Sequence, residues 1–170
     1  MDKEHEGIIT YLKKDNGKYL REKLGLVIYD KDERNEPEIV STIKIKDIEI
    51  PVINPLDGSP YEPDITCFDE KDNSIVIVEV KSSEVANHKT FGQILYYLTI
   101  ANRIRYANGK EVKKNSVKGI VVAREIHGSL RTLVKVYERE IPKINLKYYR
   151  RTNGGDYNFY DARLGRLRKK

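Results

Sequence analysis

The chain has 170 residues, 39% hydrophobic and 34% charged, a length suited to one domain and a composition too apolar for global disorder. A single cysteine, Cys67, excludes an internal disulfide framework and any multi-cysteine zinc or iron–sulfur site, and no stretch approaches the roughly 20 apolar residues of a transmembrane helix. The net charge of +6 is unevenly spread: residues 28–82 carry 14 acidic and 6 basic side chains, residues 83–170 carry 20 basic and 7 acidic. An acidic middle before a basic second half suits a cation-binding centre beside a surface for a polyanion.

The N-terminal MDKEHEG has no apolar core, so no secretory signal is expected and the expected compartment is cytoplasmic. Residues 3–14 suit an amphipathic helix with Ile8, Ile9 and Leu12 on one side, broken at Asn16-Gly17. Lys18 to Leu24 adds a turn or two, capped by Gly25, and Leu26 to Tyr29 reads as a strand. Residues 30–38 read as a charged loop. Residues 39–53 alternate apolar and polar and predict two strands, or one bent one, turning near Lys46-Asp47. NPLDGSP at 54–60 is loop by composition.

Asp64 to Phe68 and Ser74 to Lys81 predict a hairpin joined by a polar turn. A helix is expected over 88–105, a strand over 117–123, a helix over 127–140 and a last strand over 144–149. Strands alternating with helices imply an α/β fold, a mixed β-sheet flanked by helices. The reading gives one domain over 1–150, with a loop or hairpin inserted within 30–60, and a basic aromatic tail over 151–170.

The chemistry-bearing residues lie on the predicted hairpin and the helix after it. In the strand Ser74 to Lys81, alternation places Ile75, Ile77, Glu79 and Lys81 on one face and the valines on the other. A carboxylate in so apolar a strand costs several kcal/mol unless paired or metal-bound. Asp64, on the preceding strand, can lie alongside Glu79. Two carboxylates that close suit a hard cation such as magnesium or manganese, and Lys81 can orient water or offset charge on a phosphate. The same residues also suit a salt pair at a strand end. Gln93 and Tyr97 share a helix face one turn apart, where both can hydrogen-bond and Tyr97 can equally pack in a core.

Pro63-Asp64, then Glu79-Val80-Lys81, then Gln93 with Tyr97, resembles the PD-(D/E)XK nuclease superfamily. The Gln-x-x-x-Tyr element resembles its RecB-like, archaeal NucS-like branch. The resemblance covers about residues 60–150 and implies a restriction-endonuclease-like core. It implies that Asp64, Glu79 and the carbonyl of Val80 ligate Mg2+ or Mn2+. It further implies that Lys81 handles the attacking water, that Gln93 and Tyr97 support the site, and that a helix-1 carboxylate joins them. Glu6 is the choice for that carboxylate and Glu22 its competitor.

The expected function is metal-dependent hydrolysis of DNA phosphodiester bonds. The alternatives are a Holliday-junction resolvase acting as a homodimer, a restriction endonuclease, or a non-catalytic nucleic-acid-binding module. Residues 143–170 carry 9 basic and 2 acidic side chains. Arg150, Arg151, Arg163 and Arg166, interleaved with Tyr148, Tyr149, Tyr157, Phe159 and Tyr160, are the expected DNA contacts. No membrane partner is expected.

Overall fold

A computed structural model describes residues 2–28, 37–38, 42–45, 48–51, 63–82, 85–101, 105–106 and 114–162. The chain opens with α1 (Lys3–Tyr19), whose N-terminus is capped by Asp2 accepting from the Glu4 N–H at 3.2 Å. The helix breaks where Asn16-Gly17 predicts it. Lys14 is extended, and Asp15, Asn16 and Gly17 are left-handed with φ of 53°, 55° and 70°. The left-handed backbone at Gly17 favours glycine, and a Cβ there would meet the Ile28 side chain at 2.7 Å and displace it. A π-helical turn, Leu20–Leu24, follows and ends at Gly25 with φ 67°.

The remaining elements are β1 (Leu26–Ile28), β2 (Pro37–Glu38), β3 (Thr42–Ile45), β4 (Ile48–Pro51), β5 (Ile65–Asp69) and β6 (Ser74–Lys81). After them come α2 (His88–Ala101), β7 (Arg105–Tyr106), β8 (Ser116–Ala123), α3 (Gly128–Val136), β9 (Ile144–Arg151) and β10 (Tyr157–Asp161). One six-stranded sheet runs in the order β1-β5-β6-β8-β9-β10. Its β1, β5 and β6 are antiparallel, β6, β8 and β9 are parallel, and β10 returns antiparallel. Helices α2 and α3 connect the parallel strands. The fold is α/β, a mixed sheet flanked by helices. β3 pairs with β4, within the segment read as an insertion. Of the loop expected over 30–38, Pro37–Glu38 is instead the strand β2, while residues 30–36, the turn expected at Lys46-Asp47 and the loop at 54–60 lie outside the described residues.

β6 is buried along seven of its eight residues, which explains its unbroken apolar run. Ile75 and Ile77 pack with Phe91, Ile94 and Leu98 of α2 and Leu130 and Val134 of α3. Val76, Val78 and Val80 pack on the opposite face with Ile8 and Leu12 of α1. The alternation read from the sequence therefore divides the core into two layers. Gly119 of β8 allows α2 to approach closely, since a Cβ there would stand 3.0 Å from Ile94.

Three further expectations are corrected. α2 ends at Ala101, and Arg105–Tyr106 instead pairs with Pro37–Glu38. α3 ends at Val136, with turns over 137–140. The chain does not become a tail at residue 151, because Tyr157–Asp161 forms the edge strand β10. Tyr157 and Phe159 turn inward, and Tyr157 sets its ring against Tyr149 at 5.8 Å and Tyr11 at 5.5 Å. Among the described residues, no helix is long and apolar enough to cross a membrane.

Candidate active site

The β5/β6 register pairs Ile65 with Val78, so Asp64, one residue before β5, stands level with Glu79 at the open end of the hairpin. Its Oδ2 accepts from the Val80 N–H at 2.7 Å. Its Oδ1 lies 3.2 Å from Nε2 of His5. The proline–aspartate pair, uninformative by itself, thus delivers a carboxylate fixed at both oxygens.

Glu79 is only 3% exposed. Its Oε1 lies 2.8 Å from the Lys81 ammonium, while Oε2 is buried without a hydrogen-bond partner. Burial first, and the nearby Asp64 charge second, push the Glu79 carboxyl up to about 7, with Lys81 acting in the opposite direction. An uncompensated carboxylate oxygen in a dry strand is costly. A cation shared with Asp64 would offset both causes of the shift by favouring the charged carboxylates.

α1 reaches this centre through residues other than the expected one. Glu6 is exposed, as is Glu22 on the π turn. His5 faces Asp64 instead, with its Nδ1 buried and unpartnered. The Tyr149 hydroxyl donates to the Ser82 carbonyl at 3.5 Å, and its pKa is raised by burial first and then by the nearby Glu4 charge. The Ser82 hydroxyl donates to Asp2 Oδ2 at 2.9 Å. The start of α1 is therefore pinned at the C-terminal end of β6 by Asp2 and His5, with Glu4 close to Tyr149. Stepping back from Ile8 by three and four residues gives His5 and Glu4, whereas Glu6 lies off that face. That periodicity was the available signal.

Gln93 is half-buried on α2, one turn before Tyr97. Tyr97 belongs to the core layer of Ile77 and Val121, on the sheet face that carries Glu79. Both residues lie on one helix, as expected, and Tyr97 takes the core role that was its alternative.

Basic groups gather at the C-terminal ends of the parallel strands, where α/β sheets commonly bind ligands. Arg150 Nη1 donates to the carbonyl of Arg124 at 2.8 Å and its guanidinium lies 5.1 Å from the Tyr148 ring centre. Tyr148 stacks on Tyr160 at 5.1 Å, and Tyr160 is 43% exposed. Lys81, Ala123 and Tyr148 form one row across β6, β8 and β9, so Tyr148 is about 10 Å from the Lys81 backbone. Arg151 is exposed. Arg163 and Arg166 lie outside the described residues.

Among the described residues, no three His, Cys, Asp or Glu side chains form a ready metal-binding group. Two carboxylates and a backbone carbonyl nonetheless fit magnesium, which keeps several waters and often takes only one or two protein carboxylates. The unpaired Glu79 oxygen and its raised pKa are what such an ion would correct. Cys67 offers no nucleophile, since burial pushes its thiol up to about 12. Compared with protein-family models, curated proteins and solved structures, the chain matches none of them.

Proposed function

We propose that the chain is a divalent-metal-dependent deoxyribonuclease of the PD-(D/E)XK type. The observation that carries this reading is the Asp64–Glu79–Lys81 cluster, with one buried Glu79 oxygen left unpaired. Asp64, Glu79 and the Val80 carbonyl would hold magnesium or manganese, which when bound supplies positive charge for the scissile phosphate. The Lys81 ammonium orients water for in-line attack and offsets charge as the 3′ oxygen departs, leaving a 5′ phosphate. The Val80 N–H and His5 hold Asp64 in place. Arg150 and the exposed Tyr160 offer the flanking DNA strand a charge and a stacking face.

A second reading has its own support. Lys81 already neutralises part of Glu79, which suits a non-catalytic nucleic-acid-binding module. Incubation with single-stranded, duplex, flap and four-way-junction DNA, with magnesium or manganese, separates the two. The nuclease reading expects metal-dependent cleavage of at least one substrate, lost in Asp64→Ala. Binding that needs no metal, without cleavage of any substrate, selects the module.

A further inference from the structure

Arg124 follows directly on β8 at the carboxyl end of the parallel strands, one strand over from Lys81. Its N–H donates to the Lys81 carbonyl at 3.4 Å, and its own carbonyl accepts from Arg150 Nη1 at 2.8 Å. Both backbone groups of Arg124 are thus held. The Arg150 side chain that holds one of them is itself fixed by the Tyr149 carbonyl at 3.1 Å and by the Tyr148 ring. The Arg124 side chain is exposed and forms no ion pair among the described residues.

Tyr149 shows where that charge stands. Burial, then Glu4, raise the Tyr149 hydroxyl pKa, and the Arg124 charge acts in the opposite direction, so the guanidinium lies within electrostatic reach of that hydroxyl. The hydroxyl donates to the carbonyl of Ser82, the residue after Lys81. Arg124 and Lys81 therefore present two cations from adjacent strand ends, whose backbones are about 5 Å apart. Lys81 is paired with Glu79, whereas Arg124 has its charge and its planar fork of donors free among the described residues. A guanidinium without a carboxylate, on a braced backbone at the strand ends where α/β sheets bind ligands, suits a phosphate.

Resting on the nuclease reading, we propose that Arg124 binds the substrate phosphate next to the scissile one and so fixes the DNA strand over the Asp64–Glu79–Lys81 cluster. A contact one phosphate removed from the reacting bond serves ground state and transition state alike. Arg124 therefore sets KM rather than kcat.

The test uses fluorescein-labelled flap DNA, which offers both duplex and single strand. Binding is measured against salt in EDTA, and steady-state cleavage with magnesium, for wild type, Arg124→Gln, Arg124→Lys and Arg139→Gln. Arg139, in the turns between α3 and β9 at the opposite end of the parallel strands, is the control. Arg124→Gln should weaken binding about tenfold and lower the log–log salt slope by about 0.7 to 0.9. It should raise KM by a similar factor and leave kcat within about twofold. Arg124→Lys should restore the slope without the full affinity, because an ammonium keeps the charge and loses the fork. Arg139→Gln should match wild type. Unaltered affinity and slope in Arg124→Gln overturn the proposal, as does an equal loss in Arg139→Gln, or kcat falling with KM unchanged. Wild type that binds the DNA but cleaves none refutes the nuclease reading, while the binding arm still decides the Arg124 contact. Wild type that binds no DNA overturns both.

Discussion

The Val80 N–H donates to Asp64 across the open end of the β5/β6 hairpin at 2.7 Å. The strand that carries Glu79 and Lys81 therefore also sets the orientation of the opposing carboxylate. A strand backbone is a rigid support for such a group, more so than a loop.

Glu79 makes stability depend on pH in a defined sense. Its folded pKa is raised from 4.5 to about 7, so the folded state binds more protons than the unfolded state between those values. Stability from this group is full below about 4.5 and is lost as pH rises to about 7. The loss is of order 3 kcal/mol. Metal-free wild type should lose stability relative to Glu79→Gln over that window, measured by urea unfolding. Magnesium should restore wild-type stability above pH 7 and leave Glu79→Gln little changed. Parallel pH profiles for the two proteins would contradict the assignment.

His5 is expected to act by positioning Asp64. His5→Ala should weaken manganese binding about 10- to 100-fold, as losses behind a metal ligand commonly do. Calorimetry reads this directly, and His5→Gln, which can still donate to Asp64, should recover part of it. Unaltered manganese affinity in His5→Ala would leave the contact with a purely structural role.

Lys81→Ala should lower turnover by about a hundredfold or more. Lys81→Arg should not restore it, because a guanidinium is broader and its charge more diffuse. Single-turnover cleavage at saturating enzyme gives the number, and full activity in the arginine variant would reduce Lys81 to a general positive charge.

The C-terminus should divide in two. Deleting 151–170 removes β10 and should unfold the sheet edge. Tyr157→Ala alone should cost about 3 kcal/mol. Deleting only 163–170 should leave melting unchanged while removing five basic side chains. If all five contact phosphates, the log–log salt slope of DNA binding falls by about 4. An unchanged slope would exclude those residues from the interface, whatever the stability result.

Much of this arrangement was legible in the sequence because its signals are local. Alternation along Ser74 to Lys81 assigned both faces of β6, and Asn16-Gly17 and Gly25 marked the breaks after the first helix. The Asp64–Glu79 pairing was legible because a short hairpin leaves few registers. β10 was not, because Arg150, Arg151 and the terminal basic residues masked the alternation of Tyr157 and Phe159. His5 was not legible from a carboxylate pattern, because the face set by Ile8 and Leu12 selects positions 4 and 5.

The central claim is that Asp64 and Glu79 jointly hold a divalent ion for phosphodiester hydrolysis. Its most direct test is DNA cleavage against magnesium concentration for wild type, Asp64→Ala and Glu79→Ala, with DNA affinity measured in the same buffer. The account predicts saturable magnesium-dependent cleavage by wild type, and none by either variant. DNA affinity should stay within a few-fold, since most binding comes from basic groups elsewhere. Near-normal magnesium-dependent turnover in either variant would contradict it.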